Sequence, residues 1–280
     1  MACTNQLAQT LKALHKPGSP LVLSNVWDVA SLNAIVSLNS ESSKPVKALA
    51  TASFAIAATL GIKDEELSMV QNLELISKIA PLAEQAGLPL SVDIQDGYGD
   101  LITAVVTAVV EYGAAGANIE DSIPSAGFDK GISGSLYTLE DQVERLKRAL
   151  DAAKMAGAPD FVLNARCDAF RLLPTPGLTY EIRLAEAIKR GKAFLEAGAT
   201  TVFYWGGAGQ GLTSETVKTL VKELDGKVAV VMSGAPGSLT TAELAEIGVA
   251  RISVGPGLYH AAMNAVKAVA SRMFSGGGLA

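Results

Sequence analysis

The stretch Pro89-Leu-Ser-Val-Asp-Ile-Gln-Asp96 begins apolar and closes on carboxylate and amide side chains. Read as a strand it alternates, with Asp93 and Gln95 on one face and Val92 and Ile94 on the other. Two later stretches obey the same rule. In Gly116-Ala-Asn-Ile-Glu120 the polar pair is Asn118 and Glu120, and after Asp160 the run Asn164-Ala-Arg-Cys-Asp168 puts Asn164, Arg166 and Asp168 together. Ala117, Ile119, Ala165 and Cys167 then turn toward a helix layer, as their apolar character suits. Similar short β-rich runs occur at 20–25, 46–53, 200–205, 227–233 and 250–255, which makes eight. Each is followed by Gly, Pro, Asp or Ser and then by an Ala/Leu/Glu/Lys segment of helical character, the pattern of parallel β/α units. Polar residues gather at the C-terminal ends of the strands, where barrel folds carry their function. The expected fold is therefore a single (β/α)8 barrel over residues 1–280, with a doubly wound open sheet as the alternative.

Helices are expected at 64–85, opening on an acidic turn, and at 138–156, opening Thr-Leu-Glu-Asp. Gly87, Gly113 and Gly198 each fall just past a helical segment, a usual place for glycine. The serine-rich 37–44 reads as a surface loop. No linker or shift in composition divides the chain.

Composition narrows the function. Of 280 residues 49% are apolar, which excludes disorder, and 23 Lys+Arg against 28 Asp+Glu leave a net charge of −5. No basic run follows a phosphate backbone, so nucleic acid is not an expected partner. The apolar run 101–110 is about half of the roughly 20 residues a membrane span needs, and no membrane association is expected. The first 17 residues lack a continuous apolar secretory core, which points to a cytoplasmic protein. Two cysteines, Cys3 and Cys167, and two histidines, His15 and His260, give neither a disulfide framework nor a zinc ligand set. Cys167 reads as packing, and both histidines as surface or core residues.

Asp93 and Glu120, with Asp64 just after the second strand, would repel one another unless a cation lay among them. Oxygen donors without His or Cys favour Mg2+, with Mn2+ possible, over zinc. The same carboxylates read equally well as helix caps or as partners of Arg166. Arg166 itself offers a planar fork to a carboxylate or phosphate group. Glycine-rich turns at 206–211, 234–237 and 255–257 follow the last three strands, but no Lys or Arg accompanies them.

The blocks Pro89–Gly99, Gly116–Ser122 and Asn164–Asp168 resemble the isocitrate lyase/phosphoenolpyruvate mutase superfamily, in its phosphoenolpyruvate phosphonomutase-like branch. Ser24–Asp28, Ala50–Ser53 running on to Leu60–Asp64, and Ser253–Gly257 extend the likeness in the same order. The resemblance implies a (β/α)8 barrel whose last helix is exchanged between subunits of a dimer, with two dimers forming a homotetramer. It implies Mg2+-dependent C–C lyase or hydrolase chemistry on a small 2-oxo acid or dicarboxylate, through a metal-stabilised enolate. On the matching positions Asp93 is the direct metal ligand, and Asp64 and Glu120 hold metal-bound waters. Arg166 binds the substrate carboxylate, and Thr51 and Ser53 line its pocket. Read from their places at strand ends, Asn164 is a further substrate-binding residue, and Trp205, with Trp27, either walls the pocket or packs at its rim. Three departures stand out: Gln95 replaces a second acid, the loop 122–131 has no Cys or His, and Trp205 stands where His or Glu is usual. The acid/base is open among Asp129, Lys130, Asp168 and a metal-bound water. A P–C bond enzyme and a degenerate 2-oxo acid binding barrel are the alternatives.

Overall fold

The computed structural model describes residues 2–207 and 211–279, with side chains from Thr4 onward. The middle of the 206–211 glycine turn and the Cys3 side chain lie outside the described residues.

Nine strand segments form one sheet: β1 (Leu21–Val22), β2 (Ser24–Val26), β3 (Leu49–Thr51), β4 (Leu90–Asp93), β5 (Gly116–Glu120), β6 (Val162–Cys167), β7 (Thr201–Tyr204), β8 (Val228–Val231) and β9 (Arg251–Ser253). Their order is β1-β9-β8-β7-β6-β5-β4-β3-β2, and every neighbouring pair is parallel. The first two segments are halves of one stretch. Leu21 lies opposite Arg251 of β9, Leu23 donates its N–H to Ile252 at 2.9 Å, and Ser24 lies opposite Leu49 of β3. Residues 21–26 thus pair first with the last strand and then with the second, which draws the sheet into a barrel and excludes the doubly wound alternative. The eight expected strands are all present, the first in two pieces.

Val92, Ile94, Ala117, Ile119, Ala165 and Cys167 are fully buried in the core between barrel and helices, together with Ile76, Val105, Val109, Leu146 and Phe194. A second core seals the N-terminal ends of the strands. There the helix Ala2–Leu14 sets Leu7, Ala8 and Leu11 against Leu21, Leu23, Ala48, Ala50, Ala115 and Val162. Gly116 permits this approach, because a Cβ at that position would stand 2.5 Å from the Val162 carbonyl oxygen and 3.1 Å from Leu11 Cδ2.

One expected helix is corrected. Residues 64–85 divide into a single 3-10 turn, Asp64–Glu66, and the helix Met69–Gln85. The sequence supplies the reason: Ser68 accepts from the Gln71 N–H while the Gln71 side chain accepts from the Ser68 N–H, a reciprocal cap that starts the helix five residues late. Asp64 is thereby released from the helix. The helix Leu139–Met155 begins at its Thr138 cap as expected.

The run expected to be too short for a membrane forms the helix Ile102–Glu111, whose inner side is buried. Among the described residues no helix is long and apolar enough to cross a membrane. The last helix, Gly257–Phe274, packs only its first turns on the barrel, where Tyr259 meets Trp27 edge-on at 5.4 Å between ring centroids. Farther along, Met263, Val266, Met273 and Phe274 are exposed.

Candidate active site

Asp93 ends β4 and is held from three sides. Its N–H donates to Thr51 Oγ1 at 2.8 Å, fixing the strand end against β3. Its Oδ2 accepts from the Ser53 N–H at 3.2 Å and from Ser53 Oγ at 3.1 Å. Asn118 Nδ2 reaches Oδ1 at 3.5 Å, while Asn118 is itself oriented by Asn164 Nδ2 at 2.8 Å. Thr201 Oγ1 donates to the Asn164 oxygen at 2.7 Å, closing a polar layer across β4, β5, β6 and β7.

Asp64 meets this group through Gln95. The Gln95 backbone adopts φ 52°, which ends the strand and turns its amide to the Asp64 carbonyl at 2.6 Å and to Asp64 Oδ1 at 3.1 Å. An acid at this position would repel Asp64, whereas the amide donates to it. Burial raises the Asp64 carboxyl above its usual range and the charge of Asp93 adds to the shift, while Ser53 and Gln95 oppose it.

Arg166 stands on β6, beside Glu120 of β5 in register. It is bound on two edges, by Glu120 Oε2 at 2.6 Å and by Asp168 Oδ1 at 2.8 Å. Among the described residues its Nη2 is buried with no hydrogen-bond partner, and Asp168 Oδ2 likewise has no hydrogen bond, with only the Arg171 guanidinium 4.0 Å away. Buried polar atoms left unpaired are rare and point to a polar ligand or water. Ser122 Oγ donates to Glu120 Oε1 at 2.8 Å. Asp121 fixes Asp168 by accepting its N–H at 2.8 Å, and Arg190 fixes Asp121 at 3.1 Å. Burial works against the charge on Arg166, but Asp168 and Glu120 outweigh it and hold the guanidinium protonated. Burial likewise pushes Glu120 upward, against the pull of Arg166. Trp205, just beyond β7, lies 5.4 Å from the Arg166 guanidinium and 4.2 Å from that of Arg171.

The structure thus brings Asp93, Asp64, Glu120, Arg166, Thr51, Ser53, Asn164 and Trp205 to one end of the barrel, with three refinements. Asn164, 1% exposed, uses its oxygen on Thr201 and its amide on Asn118, so it supports the site from below. Thr51 and Ser53 are both engaged with Asp93. Glu120 is paired with Arg166, and among the described residues no three His, Cys, Asp or Glu side chains are arranged to hold a metal by themselves. That arrangement still suits Mg2+, which keeps several waters and takes one or two carboxylates directly. Asp93 and Asp64, hard oxygen donors joined through Ser53 and Gln95, fit a hydrated divalent cation.

Other acids read at the strand ends are structural. Asp28 caps a helix by accepting from Ser31 N–H at 2.6 Å. Asp96 accepts from the N–H groups of Tyr98 and Gly99 and from the Tyr137 hydroxyl at 2.7 Å, with Arg145 at 3.6 Å. Asp129 and Lys130 are exposed in their loop. Cys167 is fully buried and its thiol is pushed well above the ordinary range by burial, in keeping with a packing role. His15 is packed beneath the barrel and His260 is exposed on the last helix. Residues the sequence did not single out include Arg171, Arg190 and Ser122. Each gains its place only through the fold.

With this geometry in view, known proteins offer a consistent match. The sequence profile of the phosphoenolpyruvate phosphomutase family covers residues 11–274. Phosphonopyruvate hydrolase from Variovorax is 31% identical over 235 residues, 81% of this chain and 74% of that protein. The 2-methylisocitrate lyase of Escherichia coli is 31% identical over 150 residues, 52% of this chain and 46% of the lyase. A crystal structure from Burkholderia cenocepacia J2315, provisionally ascribed to the phosphonomutases, superimposes with TM-score 0.80 at 32% identity, covering 96% of this chain and 98% of that one.

Proposed function

The chain belongs to the phosphoenolpyruvate phosphomutase family, and from that premise we propose that it is a divalent-metal-dependent lyase or hydrolase cleaving a C–C bond of a small 2-oxo acid or dicarboxylate. The observation that carries this reading is that Arg166, whose Nη2 has no hydrogen-bond partner among the described residues, and Asp93 stand at the same barrel end. A cation at Asp93, with Mg2+ favoured over Mn2+ and its waters held by Asp64 and Glu120, would polarise the 2-oxo group.

Arg166 binds the substrate carboxylate and faces the negative charge that develops as the bond breaks. Glu120 and Asp168 position its guanidinium so that little reorganisation accompanies reaction. Thr51, Ser53 and Asn118 hold Asp93, Asn164 holds Asn118, and Trp205 forms one wall against bulk water. The exposed apolar side of Gly257–Phe274 supports exchange of this helix between subunits of a homo-oligomer, a dimer or a tetramer built from dimers. The protein is proposed to work in the cytoplasm.

The test is a screen of 2-oxo and hydroxy diacids with and without Mg2+, read by release of pyruvate or glyoxylate. Arg166→Ala and Asp93→Ala are expected to lower turnover by about 10²-fold or more. Both variants turning over at the parent rate would overturn the assignment. A second reading, cleavage or transfer of a P–C bond, is favoured by the likeness to phosphonopyruvate hydrolase. Phosphorus NMR of mixtures with phosphonopyruvate or phosphoenolpyruvate separates the two.

A further inference from the structure

Arg171 lies in the loop after β6, five residues beyond Arg166, and the proposed reaction leaves it without a task. Its guanidinium lies 3.9 Å from the Phe128 ring centroid and 4.2 Å from that of Trp205. Phe128 comes from the loop after β5, and its carbonyl accepts the Leu173 N–H at 2.8 Å, tying the two loops together. Stacking on aromatic rings occupies the faces of a guanidinium and leaves its N–H donors directed outward in the plane.

Those donors make no hydrogen bond among the described residues. Among the described residues the nearest carboxylate oxygen is Asp168 Oδ2 at 4.0 Å, beyond hydrogen-bond reach, and the Arg171 side chain is 23% exposed. Asp168 Oδ2 and Arg166 Nη2, both buried, also lack hydrogen-bond partners among the described residues. The charges of Asp168, Arg166, Glu120 and Asp64 all act on Arg171, which places it over the same site. A planar cation stacked between two rings and partly open to solvent, with Asp168 at ion-pair distance on one side and no hydrogen bond to it, has in-plane donors left to receive a further anion.

We propose that Arg171 recognises a second anionic group of the ligand, so that the site selects dianions over monoanions. The group is a carboxylate or a phosphonate, taken in the plane of the fork at the end of the molecule remote from Asp93. This inference rests on the reading that Asp93 and Arg166 hold the reacting end. Arg171 is then the specificity determinant, and the Phe128–Arg171–Trp205 stack makes correct seating of the loop after β5 part of substrate recognition.

The experiment is calorimetric binding with Mg2+ present, on the full chain, of pyruvate, 3,3-difluorooxaloacetate and phosphonopyruvate. The parent is expected to bind at least one of the dianions about tenfold or more tighter than pyruvate. Arg171→Met keeps an apolar stem against both rings but has no donors. It should erase that preference, weakening the favoured dianion about tenfold while shifting pyruvate less than about twofold. Arg171→Lys, which retains charge without the fork, should recover part of it. The stronger of the two dianions identifies the second group as carboxylate or phosphonate. Equal binding of pyruvate and both dianions by the parent overturns the inference and leaves the role of Arg166 standing. So does an Arg171→Met protein that keeps the preference, or one that loses pyruvate and dianions alike, which is the behaviour of a mere loop staple. A parent that binds none of the three overturns this inference together with the assignment of the site.

Discussion

Two arginines lie inside the same barrel under opposite conditions. Arg166, 8% exposed near the C-terminal end, is bound by Glu120 and Asp168 at 2.6 and 2.8 Å. Arg251, 2% exposed at the start of β9, has among the described residues only the hydroxyls of Ser91 at 3.2 Å and Ser253 at 3.5 Å, and its Nη1 has no hydrogen-bond partner there. Burial disfavours charge at both. At Arg166 the two carboxylates prevail, whereas Arg251 is pushed down to about 9, with Asp93 the only charge that opposes the shift. The same residue type is therefore a supported tool at the mouth and an electrostatic burden at the floor. Burial alone does not mark a working cation; the partners around it do.

The sharpest way to break this contrast is to remove each guanidinium in turn. Arg166→Met leaves Glu120 and Asp168 buried without their cation. We expect stability to fall by about 3 kcal/mol or more and turnover by about 10²-fold. Arg251→Met removes a buried charge that has no carboxylate partner and abandons two hydroxyl bonds. Stability is expected to be unchanged or to rise by about 1 kcal/mol. Urea unfolding of both variants, with turnover measured alongside, makes the comparison. An Arg251→Met protein less stable than Arg166→Met would show that two serines are sufficient partners for a buried guanidinium, and the contrast would collapse.

The floor can be weakened without touching its charge. Leu11 is fully buried between the N-terminal helix and the strand ends. Leu11→Ala should lower stability by about 3 kcal/mol, from lost burial and the cavity left behind, with kcat within about twofold of the parent because no side chain of the site rests on Leu11. A tenfold loss of kcat at full folding would mean that the two ends of the barrel are coupled.

Much of this division could be read in the sequence. Strand parity placed Asp93, Glu120 and Arg166 inward and Val92, Ile119 and Cys167 outward, because alternation is a local property of an extended chain. Parity failed where the strand stopped. Gln95 turns by its positive φ, and Asp64 is positioned by a cap at Ser68 that divides a segment whose apolar pattern looked continuous. The same signal, an acid at a strand end, describes both Asp93 and Asp96. They differ through Tyr137 and Arg145, which lie 41 and 49 residues farther along than Asp96 and engage it and not Asp93. Arg171 lies in a loop, where no periodicity governs direction, and its meaning comes from rings contributed by two other loops. Arg251 opens a strand, where polarity was not expected to matter.

A smaller effect than those at Arg166 and Leu11 uses the pH dependence of the floor. His15 sits just past the N-terminal helix with Nδ1 2.7 Å from the Leu11 carbonyl oxygen and Nε2 buried without a partner. Burial, and then the charge of Arg251, push its pKa down to about 4 from 6.5. Between those values the unfolded chain binds more protons than the folded one, so stability rises with pH there, is complete above 6.5 and declines as pH falls toward 4. The loss is on the order of 2 kcal/mol, and His15→Gln should remove it, so that parent and variant diverge between pH 7 and pH 4.5 in urea unfolding. Asp121 near the mouth, pushed up to about 6 by burial, has the opposite sign and favours the fold as pH falls, which is why the difference between the two proteins, and not either profile alone, reports on His15. Because Arg251 contributes to the shift, the divergence should shrink when both proteins carry Arg251→Met. An undiminished divergence in that background would assign the whole shift to burial and separate the histidine from the unpaired guanidinium beside it.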